Sequence, residues 1–272
     1  MREHLDQTPA SPGPPTDDRP DGRVTDRADQ LVDEAEYRRR TRRSLITGGI
    51  AAVAGYRGWR WVMDQPSDDN IPGVVRGALE LNEAVWSANY SSAARVATYD
   101  VEDAEPLRVN GVVGMQQPID PSTWSLTVSS DVDPIPREFS LDDIRAMGEI
   151  DQVVEHRCIE GWSSITHWTG VPFATFARPL LADYGIDLPY VAMITVGGGY
   201  YVGLDTRSAM HPQVLLGTGL DGAPLAQEHG APLRLVSPIH YGTKSIKRIG
   251  RIHFTRTRPR DYWAGRGYDW HS

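Results

Sequence analysis

Cys158 is the only cysteine among 272 residues, and it stands in the run His156-Arg157-Cys158-Ile159-Glu160-Gly161-Trp162-Ser163-Ser164. A lone cysteine is ordinarily a small buried hydrophobe. This one closes an apolar strand and enters a glycine-containing turn crowded with Arg, Glu, His and Trp. The neighbouring Arg157 favours the thiolate, the form that binds metals or attacks carbon. Two uses stay open at this point: a metal ligand, or a nucleophile with His156 or His211 as its base. A single thiol excludes an intramolecular disulfide framework, and it excludes zinc-finger and iron–sulfur sites built from several thiolates.

A second chemical feature is the stretch from Lys244 to Arg260, which holds seven basic residues and no acid. The chain as a whole is acidic, with 28 Lys and Arg against 36 Asp and Glu, a net charge of −8. That balance argues against nucleic acid as a partner, because phosphate backbones demand a basic surface. Aromatic residues are not interleaved through the basic stretch, so it lacks the stacking platform of a single-strand binder. Arg251, Arg256 and Arg258 are expected on a solvated strand face. A hydrophobic content of 40% is ordinary for a globular domain and excludes a polytopic membrane protein.

The elements that position these residues can be read from turn chemistry. Residues 1–43 form a tail rich in Pro, Asp, Arg and Thr, expected to be disordered through Tyr37 and ending in the run Arg38-Arg39-Arg40-Thr41-Arg42-Arg43. Residues 44–62 supply a short, weakly apolar segment, and Thr41–Ile46 resembles the twin-arginine export motif. An exported, periplasmic or extracytoplasmic protein is expected, with an uncleaved N-terminal membrane anchor as the alternative. Residues 63–105 read as a linker leading into the domain, and 106–272 as the domain itself, expected to be a monomer. Within it, Trp124–Val128 alternates like a half-buried strand. Ser140 with Asp142 and Asp143 reads as a helix start, closed by Gly148. Val153-Val154 leads a strand into Cys158, and Pro172 opens a helix through Ala174–Leu181 that ends at Gly185. Tyr190–Val196, Leu233–Val236 and Ile246–Thr255 read as strands, and Asp221-Gly222 as a hairpin turn. The fold class is α+β: mixed, mainly antiparallel sheets with short helices.

The run His156–Ser163, followed by Trp168-Thr169-Gly170-Val171-Pro172, resembles the sulfite oxidase superfamily of molybdenum enzymes, nearest its periplasmic protein-methionine-sulfoxide reductase branch. Three further segments match in order: Ala209–Pro212, His229–Arg234 and Tyr241–Lys247. The resemblance covers roughly Asn110 to Thr255. It implies a sulfite-oxidase-type molybdopterin-binding domain with molybdenum and molybdopterin as cofactors, and it gives Cys158 the role of thiolate ligand to the metal. Thr195 matches a pterin-contacting threonine, Arg234 a cofactor-binding arginine, and Ser245-Ile246-Lys247 the segment that holds the cofactor phosphate. Arg with its planar fork and Lys as a point charge suit a phosphate independently of any family. His229 stands where the reductase branch often has Asn. An upstream cofactor segment of that branch is replaced here by Arg108–Gly114, which makes Asn110 a candidate cofactor contact. Glu160 is expected near the metal, as a hydrogen-bonding or proton-relaying group. His156, His167 and His211 are expected to be hydrogen-bonded structural residues.

The implied activity is two-electron oxygen-atom transfer, such as reduction of an S-oxide or N-oxide, on a small-molecule or protein-bound oxide. Sulfite-type oxidation is the alternative within the family, and a Cys158-nucleophile hydrolase the alternative outside it. No Cys-x-x-Cys-His is present for covalent haem attachment, so electrons must come from a separate partner, a membrane haem protein being one candidate.

Overall fold

The computed structural model describes residues 34–68, 71–133 and 135–271. The chain divides into two compact units, Met1–Gly58 and Trp59–Ser272. The described residues of the first, 34–58, all belong to helix α1, Glu34–Met63, which buries none of its side chains. Glu34–Tyr37, expected to be disordered, form its first turn. The reason is local: Glu34 and Glu36 lie at the positive end of the helix dipole and pair one turn on with Arg38 and Arg40, each at 2.5 Å. The rest of the expected tail, up to residue 33, lies outside the described residues. Among the described residues, no helix is long and apolar enough to cross a membrane.

In the second unit, two two-residue strands, β1 (Ser67–Asp68) and β2 (Ile71–Pro72), precede helix α2 (Gly73–Asn89). This 17-residue helix occupies the segment expected to be a linker. Its apolar residues Val74, Val75, Leu81 and Val85 are exposed, while the residue it buries is Arg76. A helix that packs through polar groups gives no apolar periodicity to read.

Two five-stranded sheets follow. One has the order β4 (Arg137–Ser140), β3 (Ser125–Ser130), β12 (Ile249–Thr255), β7 (Tyr190–Thr195) and β8 (Tyr201–Asp205). The other runs β10 (Ala223–Pro224), β9 (Leu215–Leu220), β6 (Ser163–Pro172) and β5 (Ile150–Arg157), with β11 (Arg234–Val236) also on β9. Pairings are antiparallel except β3 with β12, so the sheets are mixed and mainly antiparallel as expected. Helix α3 (Leu141–Arg145) starts in a capping box in which Ser140 and Asp143 exchange hydrogen bonds. Helix α4 (Phe173–Tyr184) starts after Pro172 and stops at Gly185 in the left-handed region. The four-residue α5 (Thr206–Ala209) is capped by the Asp205 side chain.

The main core forms where α4 turns Phe173, Phe176, Ala177 and Leu180 toward Leu126 and Val128 of β3, Val191 and Met193 of β7, and Ile252 and Phe254 of β12. Apart from Ala177, each such side chain contributes about 1.5–3 kcal/mol on burial. A smaller cluster around Trp168, Val154, Leu215 and Leu107 lies under the β5–β6 hairpin.

Candidate active site

Cys158 follows the last residue of β5 and begins the turn into β6. Its N–H donates to the Trp162 carbonyl at 2.9 Å, and its own carbonyl accepts from the Gly161 N–H at 3.1 Å. Gly161 sits at φ +88°, a left-handed geometry that glycine adopts without strain. The turn holds the half-buried thiol at one wall of a cleft of about 850 Å³, mouth included. Arg157 does not line that cleft. Its guanidinium pairs with Glu155 at 2.7 Å, so the sequence argument that Arg157 polarises the thiol is corrected. The cations that share the cleft with Cys158 are Arg108, Arg234 and Lys247, which come from three other segments.

Asn110 approaches from the Arg108–Gly114 segment. Its side-chain amide donates toward the Cys158 sulfur at 3.5 Å, while its amide oxygen accepts from the Gly111 N–H at 2.7 Å. Lys247 fixes the same loop by donating to the Asn110 carbonyl at 2.7 Å, and it donates to the Glu228 carbonyl at 2.7 Å. Burial, together with Arg234 and Arg248, lowers the Lys247 amine to about 8. The close approach of Lys247 depends on Gly230, where a Cβ would fall 2.7 Å from the Lys247 Cβ.

Arg234, at the start of β11, is 2% exposed. Its guanidinium donates to the carbonyls of His229 at 2.9 Å and Ser245 at 3.3 Å and lies 4.5 Å from the Trp168 ring centre. Desolvation lowers it to about 9. No carboxylate pairs with Arg234 or Lys247 among the described residues. His156 also lines the cleft, and burial beside Arg234 and Lys247 lowers its imidazole to about 3, so the ring is neutral. Glu160 is exposed at the rim, where its carboxylate accepts from the Trp162 indole at 3.1 Å.

The structure thus gathers Asn110, Cys158, Glu160, Arg234, Ser245 and Lys247 into one cleft. Thr195, His229 and Ile246 are not among its lining residues. Thr195 is buried behind it, its hydroxyl donating to the Tyr200 carbonyl and accepting from the Tyr200 N–H. His229 offers its carbonyl to Arg234, and its buried Nδ1 has no partner among the described residues. Ile246 is 1% exposed in the main core. Of the histidines expected to be structural, His167 pairs with Asp151 at 3.2 Å. His211 donates from Nε2 to the Ala94 carbonyl at 2.8 Å and accepts from the Gln213 N–H. His156 departs from that expectation by lining the cleft. Neither His156 nor His211 hydrogen-bonds Cys158, which removes the base that a cysteine hydrolase needs. Tyr200, Thr243 and Trp263 also line the cleft; Thr243 lies in the Tyr241–Lys247 motif but, like the other two, is given no role by the sequence. The glycine run before Tyr200 was the available signal for one of them.

Comparison with known proteins identifies the family. The family described as "Oxidoreductase molybdopterin binding domain" matches residues 113–263. The putative protein-methionine-sulfoxide reductase subunit YedZ1 of Azospira oryzae is 31% identical over 84% of this chain and 84% of its own length. The protein-methionine-sulfoxide reductase catalytic subunit MsrP of Xanthomonas campestris is 39% identical over 86% of this chain and 75% of its own. Among solved structures, the sulfane dehydrogenase SoxCD of Paracoccus pantotrophus overlaps 52% of this chain and 40% of its own with a TM-score of 0.45 and 19% identity.

The cleft fits a molybdopterin. Arg234 and Lys247 lack a carboxylate partner among the described residues, the need that an anionic cofactor meets. The Thr243 hydroxyl on its wall is buried without a partner among the described residues. No group of three or more His, Cys, Asp or Glu able to hold a metal occurs among the described residues. A single thiolate is therefore what the chain offers, and it suits a metal whose remaining ligands arrive with the cofactor.

Proposed function

This chain belongs to the molybdopterin-binding oxidoreductase family, and we propose that it reduces S-oxides, with Cys158 as the protein's ligand to molybdenum. The chain is a molybdenum–molybdopterin enzyme. When bound, the cofactor supplies two-electron oxygen-atom exchange. The carrying observation is the cleft in which the one thiol meets Arg234 and Lys247, two desolvated cations without a carboxylate partner among the described residues. Reduction rather than sulfite-type oxidation is favoured by the names of the relatives, both methionine-sulfoxide reductases.

The residues divide the work. Arg234 and Lys247 hold the cofactor phosphate, the first as a buried fork and the second as a point charge. Asn110 orients the Cys158 sulfur through its amide and is itself locked by Lys247. Ser245 and Thr243 add hydroxyls on the same wall, and His229 presents its unpartnered Nδ1 from just behind it. Thr195 contacts the pterin side indirectly, by fixing the Tyr200 backbone, and Ile246 contributes as the buried anchor between Ser245 and Lys247. His156 stays neutral and excludes a further positive charge. Glu160, exposed at the rim, holds or releases a proton at its carboxylate oxygens.

Electrons come from a separate partner, in keeping with relatives named as subunits. A membrane haem protein suits an exported enzyme. The arginine run and the unburied apolar face of α1 support export, which subcellular fractionation of tagged protein tests: purely cytoplasmic product overturns it. Reaction direction is tested with reduced viologen as donor and methionine sulfoxide, dimethyl sulfoxide and trimethylamine N-oxide as acceptors. Viologen oxidation by the S-oxides is expected. Activity confined to sulfite oxidation would reverse the reading.

A further inference from the structure

The charged wall of the cleft accounts for the cofactor; another wall is built of aromatic carbon. Trp263 and Tyr200 line it together. The Tyr200 hydroxyl donates to the Thr243 carbonyl at 2.5 Å. The polar tip of Tyr200 is thereby consumed within the protein, and the Tyr200 and Trp263 rings present carbon to whatever shares the cleft. Ile159 and Leu107 extend the same apolar lining.

Trp263 is held by a buried clamp. The Asp261 carboxylate accepts from the Trp263 and Ala264 N–H groups at 3.0 Å each, and from the Lys244 amine at 2.7 Å. Lys244 is 1% exposed and also donates to the Gly203 carbonyl at 3.0 Å. Helix α2 closes the clamp from outside: Arg76 donates to the Ala264 carbonyl at 2.7 Å, Asn82 to Asp269 at 2.6 Å, and Trp86 stacks on His271 at 5.3 Å. The family model matches residues 113–263, so α2 and the residues after Trp263 lie outside its bounds.

We propose that Trp263 is a specificity-determining residue, the wall that selects oxides whose sulfur carries an apolar, aromatic-sized substituent over those carrying methyl groups alone. The assignment rests on the S-oxide reading for its substrate class and on the clamp for its geometry. Arg76 is a positioning residue that acts through the Ala264 carbonyl.

The test uses cofactor-loaded full-length protein and two unreactive probes, methyl phenyl sulfone and dimethyl sulfone, with binding measured by calorimetry. Trp263→Ala is expected to weaken methyl phenyl sulfone by about tenfold, the loss of one aromatic face, and to change dimethyl sulfone by less than about threefold. Trp263→Phe should restore most of the difference. Arg76→Ala should shift the same preference in the same direction by a smaller factor, with molybdenum content unchanged. Equal effects on both probes, or no binding of methyl phenyl sulfone by wild type, would overturn the proposal. Turnover of methyl phenyl sulfoxide and dimethyl sulfoxide is measured in parallel, and KM rather than kcat should carry the change. If wild type binds the aromatic sulfone but turns over neither sulfoxide, the S-oxide reading fails while the wall stands.

Discussion

Lys244 and Lys247 lie three residues apart in one turn, both withdrawn from water, and they have opposite fates. Lys244 faces Asp261 at 2.7 Å, and the pair is almost fully buried. Lys247 faces two carbonyls and, near it, two more cations, Arg234 and Arg248. A buried charge needs a partner. Lys244 has one within the chain, so it is architecture: it ties the cleft wall to the segment carrying Trp263. Lys247 and Arg234 have none among the described residues, and in the function proposed above an anionic cofactor is their partner.

The largest effect should fall on the self-sufficient pair. Lys244→Met leaves Asp261 buried and unpaired and should lower unfolding stability by about 3–5 kcal/mol in denaturant titrations. Lys247→Met in cofactor-free protein should change stability by less than about 1 kcal/mol, in either direction, because it removes a desolvated charge. If the two variants are equally destabilised, the contrast fails.

Cofactor retention should show the reverse order. Arg234→Met and Lys247→Met each remove a charge-assisted contact worth about 1.5–3 kcal/mol and should weaken pterin retention on dialysis by about tenfold to a hundredfold. Molybdenum and pterin content per folded protein is the readout.

The pH dependence sharpens the difference further. The Lys247 amine is held at about 8 in the folded cofactor-free protein, below its ordinary value of 10.5. Between those values the unfolded chain binds more protons at this site than the folded one, so its contribution to stability rises with pH. Below about 8 both states are protonated and the destabilising contribution is complete. Cofactor-free wild type should therefore gain stability from pH 8 to 10 relative to Lys247→Met. A matching slope in both would show that Lys247 does not titrate there.

The smallest effect concerns the thiol. Asn110→Ala removes the amide that donates to the Cys158 sulfur and should slow alkylation of the cofactor-free protein at neutral pH by about threefold.

Local chemistry made much of this legible in the sequence. The Ser140–Asp143 capping box, the Pro172 start and Gly185 stop of α4, and the Asp221-Gly222 hairpin all rely on neighbours within a few residues. Cys158, Arg234, Ser245 and Lys247 are candidates in the sequence because each lies in a short continuous motif that resembles the family, and the structure brings all four to one cleft. Features built from distant segments were not. Arg258, expected on a solvated strand face, pairs with Glu80 at 2.9 Å and Glu83 at 3.3 Å, because α2 carries those acids to it. Helix α2 itself was hidden, since its contacts are hydrogen bonds and stacks rather than an apolar stripe. Trp263 reaches the cleft through an ion pair 17 residues apart in sequence, and nothing in the local pattern announces it.

The central claim is that Cys158 is the thiolate this chain contributes to molybdenum. Molybdenum K-edge X-ray absorption on wild type and Cys158→Ser, purified from a host that makes the cofactor, tests it most directly. The account predicts near-stoichiometric molybdenum in wild type and one fewer sulfur neighbour in the variant. An unchanged sulfur shell in the variant, or well-folded wild type without molybdenum, would contradict it.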